Sequence, residues 1–544
     1  MTVRAREKKC EIVRFDTDRS VSRESRSNGF FSGVFVLSLS TVIVKIIGLV
    51  YKIPMLSLLG SEGMGYFNSA YELYTLFCVI STAGLPVAMS VMISSSLSRG
   101  DGHATRIFKV SMRLFLVLGL LGSVILVFFA RPFAGFLGGN RVLPCIFAIA
   151  PTVFFICLAS AYRGYFQGFG KMAPTAISQV IEALGKLILG LIFALLALRS
   201  GFATETVAAF AVLGLTLGTA ASALYLALAK RFDRRKAPML EGRGERILPE
   251  LLRTAIPVTL SSAVISITKV IDMTMILRRM QSLGLDSEEA FAAYGNYTTL
   301  ALPLFSLAPA LIGAVAMPLI PALSRAVAAG DREGQVDAAT DAMKLTSVIA
   351  MPVSLGLVLF ARPILELIFS GQTEAIEAAS PLLCILGISV PLSCLITVSN
   401  AVLQAYKRAG IPILSMAIGS GLKILLAYFL IGKPEIGIAG APISTFFCDL
   451  TICFVNFYYI GKCMPRMPRL SETFLRPFLA AAVSVTVARV VYNGCVSYFE
   501  ASAVITLAAV CLAAVCYLIT TVLFGVLGKK ELSMMPIPKR RVSA

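Results

Sequence analysis

FFSGVFVLSLSTVIVKIIGLVYKIPMLSLL, residues 30–59, is an apolar run interrupted by two charges only, Lys45 and Lys52. A bilayer core needs about 20 apolar residues per helix. The run is also too long and too continuous for the roughly ten-residue alternation of a membrane β-strand. It therefore reads as a membrane helix that carries lysine inside it. Thirteen further stretches qualify on the same grounds, among them 69–98 as the second, 294–323 as the eighth, and 474–493 and 502–527 as the last two. The expected fold is an all-α polytopic membrane protein of 14 transmembrane helices.

Composition agrees with that reading. Of 544 residues, 57% are hydrophobic and only 15% are charged, with a mean hydropathy of +0.83. Soluble domains run nearer 25% charged, which excludes an ordinary cytosolic enzyme. The net charge of +19 would suit nucleic acid, but the placement of the cations explains it otherwise. With the N-terminus taken as cytoplasmic, and counting the loops with the outermost few residues of adjoining spans, 35 Lys and Arg fall inside and 7 outside. Such a bias orients both termini to the cytoplasm of a multi-pass plasma-membrane protein and leaves no need for a nucleic-acid partner. Residues 1–29 mix both charge signs without an apolar core, so no cleavable signal peptide is expected there. Twelve cysteines without a C-x-x-C pair, and the single His103, point to no metal site and no cofactor.

The chain repeats itself. Lys45 and Gly60 return as Lys269 and Gly284 at an offset of 224, and VAM (87–89) returns at 315–317. FARP (129–132) returns at 360–363, and Gln167 and Lys186 return as Gln404 and Lys423 at an offset of 237. Matches in order at a slowly drifting offset indicate two parallel six-helix lobes, an arrangement of two-lobed transporters. The expected organisation is a basic tail (1–29), an N-lobe of helices 1–6 (30–229) and a basic cytoplasmic linker (230–253). A C-lobe of helices 7–12 (254–460), helices 13–14 (474–527) and a tail (528–544) complete it. Gly/Pro-interrupted helices at matching positions mark binding sites in such folds. Gly84 and Pro86 in the second span, matched by Pro303, Pro309, Gly313, Pro318 and Pro321 in its repeat counterpart, the eighth, are the candidates for gating.

Lys45, Lys186, Lys269 and Lys423 lie well inside spans, with Glu182, Asp272 and Asp449. At about 2.5–3.5 kcal/mol each at a helix centre, four lysines facing lipid would cost on the order of 10–14 kcal/mol. They must be paired or line a hydrated cavity. Glu182–Lys186 (i,i+4) and Lys269–Asp272 (i,i+3) are spaced for local ion pairs. Lys45 has no carboxylate in reach on its own helix, and Lys423 has Asp449 as its expected partner across helices. Alternatively, the repeat-related lysines form an anion-binding set for a head group such as pyrophosphate, to which Lys offers a point charge with rotatable donors. Glu72, near the outer end of the second span, is a candidate gate. Glu182, Asp272 and Asp449 are candidates for coupling to an ion, Na+ or H+. No phosphate-binding loop and no soluble loop of domain size is present, so neither an enzyme nor an ATP-driven pump is expected.

Four stretches carry a resemblance: KIIGLVYKIPMLSLLGSEGMGYFNSAYELY (45–74), STAGLPVAMSVMISSSLSRGD (81–101), YFQGFGKMAPTAISQVIEALGKLILG (165–190) and ALIGAVAMPLIPALSRA (310–326). With the span count, the sequence resembles the multidrug/oligosaccharidyl-lipid/polysaccharide exporter superfamily, and within it polysaccharide flippases of the stage V sporulation protein B type. The resemblance implies a V-shaped pair of six-helix lobes. It also implies translocation of undecaprenyl-pyrophosphate-linked sugars or peptidoglycan precursors for cell wall or spore cortex, with membrane lipids around a monomer. Related lipid II flippases use basic residues in a central cavity, one of them in the first helix, and that position falls on Lys45 in VKIIG. The second helix here has no central Arg and the eighth no cation, which leaves Lys45, Lys186, Lys269 and Lys423 as the head-group candidates. In those relatives the last two helices extend a groove for the lipid tail. A multidrug/cation antiporter of the same superfamily and a membrane scaffold of a wall or spore assembly complex are the rival expectations.

Overall fold

A computed structural model of the protein describes residues 3–99, 102–233, 247–469, 471–499 and 502–526. Most of the expected linker (234–246) and the tail 528–544 lie outside the described residues. Among those described, every regular element is helical. The first half comprises α1 (Val3–Thr82), α2 (Gly84–Arg99), α3 (Ala104–Phe128), α4 (Ala130–Phe136), α5 (Leu143–Gly168), α6 (Ala173–Arg199) and α7 (Thr204–Phe232). Then follow α8 (Ile247–Ser282), α9 (Ser287–Asn296), α10 (Leu302–Ala328), α11 (Arg332–Leu359), α12 (Ala361–Ile368) and α13 (Thr373–Ala405). The chain ends with α14 (Gly410–Ile431), α15 (Gly440–Cys463), α16 (Arg476–Tyr498) and α17 (Ala503–Leu523).

Among the described residues, twelve helical stretches are long and apolar enough to cross a membrane, against the fourteen expected from sequence. Two features account for the difference. The first stretch, Ile43–Arg99, is 57 residues, about 85 Å if straight, against a core of about 30 Å. It takes in both the first and the second expected spans. The eighth span falls on α9 and α10, joined through a π-helical turn at Tyr297–Ala301, and only Leu319–Ala328 registers there as a shorter apolar helix.

The packing falls into two units. One comprises Met1–Leu58, Ser69–Gly135 and Asn140–Ile267; the other comprises Leu59–Asn68, Phe136–Gly139 and Thr268–Ala544. The main boundary lies within α8. Gly60 breaks α1 with φ 65° and ψ −178°, in the region of positive φ that a side chain disfavours. The ten residues from Leu59 then pack within the second unit. Gly65 lies against the Phe291 main chain, Gly295 against Ser61, and Asn68 Nδ2 donates to the Thr298 and Thr299 hydroxyls at 2.9 Å.

Each unit repeats one set of helix pairs. In the first, α5 packs on α2, α3 and α7, and α6 on α7; in the second, α13 packs on α10, α11 and α15, and α14 on α15. The two FARP strings open the matching short helices α4 and α12 or lie one residue ahead of them. Helices in lipid gain little from burying apolar surface, so close approach and interhelical hydrogen bonds hold them together. Accordingly α3 turns Val117, Leu120, Leu121 and Phe128 outward. Its Gly119 and Gly122 sit so close to Cys157 and Val153 of α5 that a Cβ would come within 2.9 and 2.8 Å. Across α5 and α7, Thr152 and Thr216 share a 2.6 Å hydrogen bond; across α11 and α13, Ser354 donates to the Gly387 carbonyl at 2.7 Å. Helices α16 and α17 join the second unit, with the Tyr517 hydroxyl donating to the Val348 carbonyl at 2.8 Å.

Candidate functional site

Within the first unit, α1, α5, α6 and α7 enclose a cavity of about 320 Å³. Its wall holds Thr41, Gly48 and Tyr51 of α1, Tyr71 beyond the break in that helix, Arg163 of α5, and Gln179, Glu182 and Lys186 of α6. Gln179, Glu182 and Lys186 share the wall because spacings of three and four residues put them on one helix face. Lys186 presents its ammonium over the rings of Tyr71 and Tyr51, 4.6 and 4.9 Å from their centroids, within the range in which a ring face attracts a cation.

Arg163 is tied down. Its Nη2 pairs with Glu182 Oε2 at 2.8 Å and reaches Ser222 Oγ at 3.2 Å, while Nε donates to Ser178 Oγ at 3.0 Å. One guanidinium thus joins α5, α6 and α7 through its fork of donors. The second unit has a related clasp. Asn456 of α15 donates to Ser399 Oγ and Asn400 Oδ1 of α13 at 2.9 Å each and accepts from Ser415 Oγ of α14 at 2.8 Å. Asn400 and Ser415 are the positions 237 residues on from Arg163 and Ser178.

The partners of the intramembrane charges differ from those that local spacing suggests. Glu182 pairs with Arg163 rather than Lys186. Asp272 of α8 pairs with Lys423 of α14 at 2.8 Å, rather than with Lys269. Asp449, expected to partner Lys423, accepts instead from Ser393 Oγ. The reason is energetic: an i,i+3 or i,i+4 pair on a helix surface is worth only about 0.2–0.5 kcal/mol, too little to hold a carboxylate away from a buried cation. Lys45 and Lys269 are both exposed and outside the cavity wall, although Lys45 lies one turn from the lining residues Thr41 and Gly48. Glu72 adjoins Tyr71, its Oε2 buried without a hydrogen bond among the described residues. Gly84 lies against the Ala255 carbonyl and the Thr259 hydroxyl, and the Pro86 carbonyl lies 3.0 Å from where a Cβ on Gly164 would sit. Both are close-packing positions at the start of α2, next to the bend at Ala83.

Sequence reasoning passed over Arg163, Gly48, Tyr51 and Tyr71. Arg163 fell just past the expected end of a span at 162, whereas α5 continues to Gly168.

The comparisons with known proteins agree with this architecture. A family model described as polysaccharide biosynthesis protein matches residues 30–327. The chain belongs to that family. A second model, MatE, matches 257–429 within this family member. The stage V sporulation protein B of Bacillus subtilis (strain 168) is 25% identical over 94% of this chain and 99% of its own length. The lipid II flippase MurJ of the same organism is 27% identical over 74% of this chain and 77% of its own. Among solved structures, a lipid II flippase MurJ in an inward closed conformation superposes with a TM-score of 0.68, at 16% identity over 90% of this chain and 98% of that one. This member of the polysaccharide biosynthesis protein family is a multi-pass membrane transporter of the flippase branch of the multidrug/oligosaccharidyl-lipid/polysaccharide exporter superfamily, not an enzyme.

Proposed function

We propose that the protein flips an undecaprenyl-pyrophosphate-linked oligosaccharide or peptidoglycan precursor across the plasma membrane by alternating access, and that the cavity of the first unit takes the anionic head group. The observation that carries this is Lys186 on the cavity wall beside two tyrosine rings. The wall's charged groups are Arg163, Lys186 and Glu182, a net single positive charge. At about 320 Å³ the cavity is at the small end of ligand sites, so it accommodates a head group and not a whole lipid-linked sugar. The likeness to a protein named lipid II flippase supports the substrate class, and the likeness to a stage V sporulation protein supports a role in spore cortex synthesis.

A carboxylate-based cation antiporter fits less well, because Glu182 and Asp272 already hold Arg163 and Lys423. The test is reconstitution into vesicles with polyprenyl-pyrophosphate sugars, following exposure in the opposite leaflet with and without Na+ and H+ gradients. Wild type should translocate these lipids and Lys186→Gln should not. Equal transport by the two proteins would refute the head-group assignment, and drug efflux without lipid translocation would refute the substrate class.

A further inference from the structure

The start of α3 carries Arg106, Lys109 and Arg113, all exposed, at spacings of three and four residues that set them on one helix face. Arg106 and Arg113 are about 10 Å apart along the axis. No acid lies within α3, and neither Lys109 nor Arg113 has an ion pair among the described residues. The same face runs on into Val117, Leu120, Val124 and Phe128, which are exposed and apolar. Lys230, at the end of α7, stands beside this stripe. Its Nζ lies 3.0 Å from the Phe108 ring centroid and 4.9 Å from that of Tyr165, and the charge of Lys109 acts on it. The acid closest to it in sequence, Asp233, pairs with Lys171 at 2.7 Å. Like charges held together repel, and an anion placed between them relieves the repulsion.

Topology alone does not account for the cluster. The offset of 231 that relates the FARP strings, which directly follow α3 and α11, relates Arg106, Lys109 and Arg113 to Asp337, Thr340 and Lys344, and Phe108 to Ala339. Parallel repeats carry the same demand for cations at these positions. Yet the three side chains sum to +3 in the first unit and to zero in the second. We propose that this face of α3, with Lys230, is a binding site for an anionic phospholipid on the cation-rich side of the membrane. The lipid phosphate sits among Lys109, Arg113 and Lys230, and an acyl chain lies along the apolar side chains from Val117 to Phe128. Long cationic side chains lay their stems on apolar surface and lift their heads to the phosphate level, and each such cation adds to the attraction for anionic lipid. The site is separate from the cavity and independent of what the protein transports.

The chain contains no tryptophan, so one introduced by substitution reports on its own surroundings. The full chain carrying Val117→Trp is reconstituted into vesicles of dioleoylphosphatidylcholine with a rising share of phosphatidylglycerol brominated in its acyl chains. A matched series uses brominated phosphatidylcholine. Quenching in the two series gives the relative binding constant of the lipids beside position 117. Phosphatidylglycerol should be favoured there by at least about fivefold. Adding Lys109→Gln and Arg113→Gln should bring the ratio to within about twofold of one, Lys109→Arg with Arg113→Lys should preserve it, and Lys230→Gln should lower it by at least about twofold. Leu345→Trp, exposed on α11 beside Lys344, should show a ratio within about twofold of one. A ratio near one at position 117, or a preference that survives the paired Gln substitutions, would overturn the proposal. Equal preferences at positions 117 and 345 would also overturn it, since they would report the charge of the whole protein and not a site.

Discussion

Asp272 and Lys423 meet at 2.8 Å between α8 and α14, with 13% and 17% of their side chains exposed. Removing one partner of such a pair leaves a buried charge uncompensated and costs about 3–5 kcal/mol, whereas replacing both with apolar groups is often neutral. Asp272→Leu and Lys423→Met should each lower the unfolding temperature in detergent, and the double variant should recover most of the loss. Single effects that simply add would show that the pair is not coupled.

Arg163 and Lys186 line the same cavity but should respond differently. Arg163 ties its own α5 to groups on α6 and α7, so Arg163→Met should unfold the first unit at lower temperature and reduce the yield of folded protein. Arg163→Lys should rescue only part of this, since an ammonium cannot reproduce the fork. Lys186→Gln should leave thermal unfolding within a few degrees of wild type while abolishing transport. Calorimetric or fluorescence melting of the three variants, alongside the vesicle assay, separates the roles.

These contrasts mark how far the sequence could be read. Helix type and approximate spans were legible because long apolar runs admit one structure in lipid, and the intramembrane lysines stood out as expensive. Partner choice was not legible. Asp272 sits three residues from Lys269, yet the geometry between helices gives it to Lys423. Arg163 was hidden by a boundary drawn six residues short of the end of α5. Gly60 looked like part of a loop, and only the backbone shows a helix continuing on both sides of it.

The α6–α7 interface rests on glycines. A Cβ on Gly214 would strike the Gly190 backbone, and one on Gly185 would strike Gly218. Gly214 and Gly218 are four apart, the spacing that lets membrane helices approach closely. Gly214→Val or Gly218→Val should therefore force α6 and α7 apart and collapse the yield of monodisperse protein on size-exclusion chromatography. Gly170→Ala, at a turn where a Cβ meets nothing within 4 Å, should cost far less, limited to the strain of its positive φ. Equal yields across the three would show that the close approach is not what holds these helices.

The proposed orientation, with both termini cytoplasmic, can be tested at loops on opposite sides. Ser200, between α6 and α7, and Ala329, between α10 and α11, are both exposed. The bias of cations toward one side puts the first outside and the second inside. Ser200→Cys should react with a membrane-impermeant maleimide in intact cells, and Ala329→Cys only after permeabilisation, each read against the background labelling of wild type. The opposite pattern would invert the topology.

Lys45 and Lys186 differ in exposure, and that difference sets the size of their effects. Lys45 is exposed one turn from the cavity wall, and facing lipid would cost it about 2.5–3.5 kcal/mol, so a hydrated approach to the cavity is the better account of its position. A solvated charge contributes about 0.2–1 kcal/mol to an ion contact. Lys45→Ala should therefore raise the apparent KM for lipid-linked substrate by no more than about fivefold, with maximal flux preserved and Lys45→Arg near wild type. Lys186 acts inside the cavity, where truncating a desolvated charge contact typically costs about 2–5 kcal/mol, so Lys186→Gln should raise the same KM by about thirtyfold or more, beyond the substrate densities at which translocation registers. Initial rates in vesicles across a range of substrate densities measure both. A Lys45→Ala defect as deep as that of Lys186→Gln would move the centre of head-group binding out of the cavity and onto the exposed face of α1.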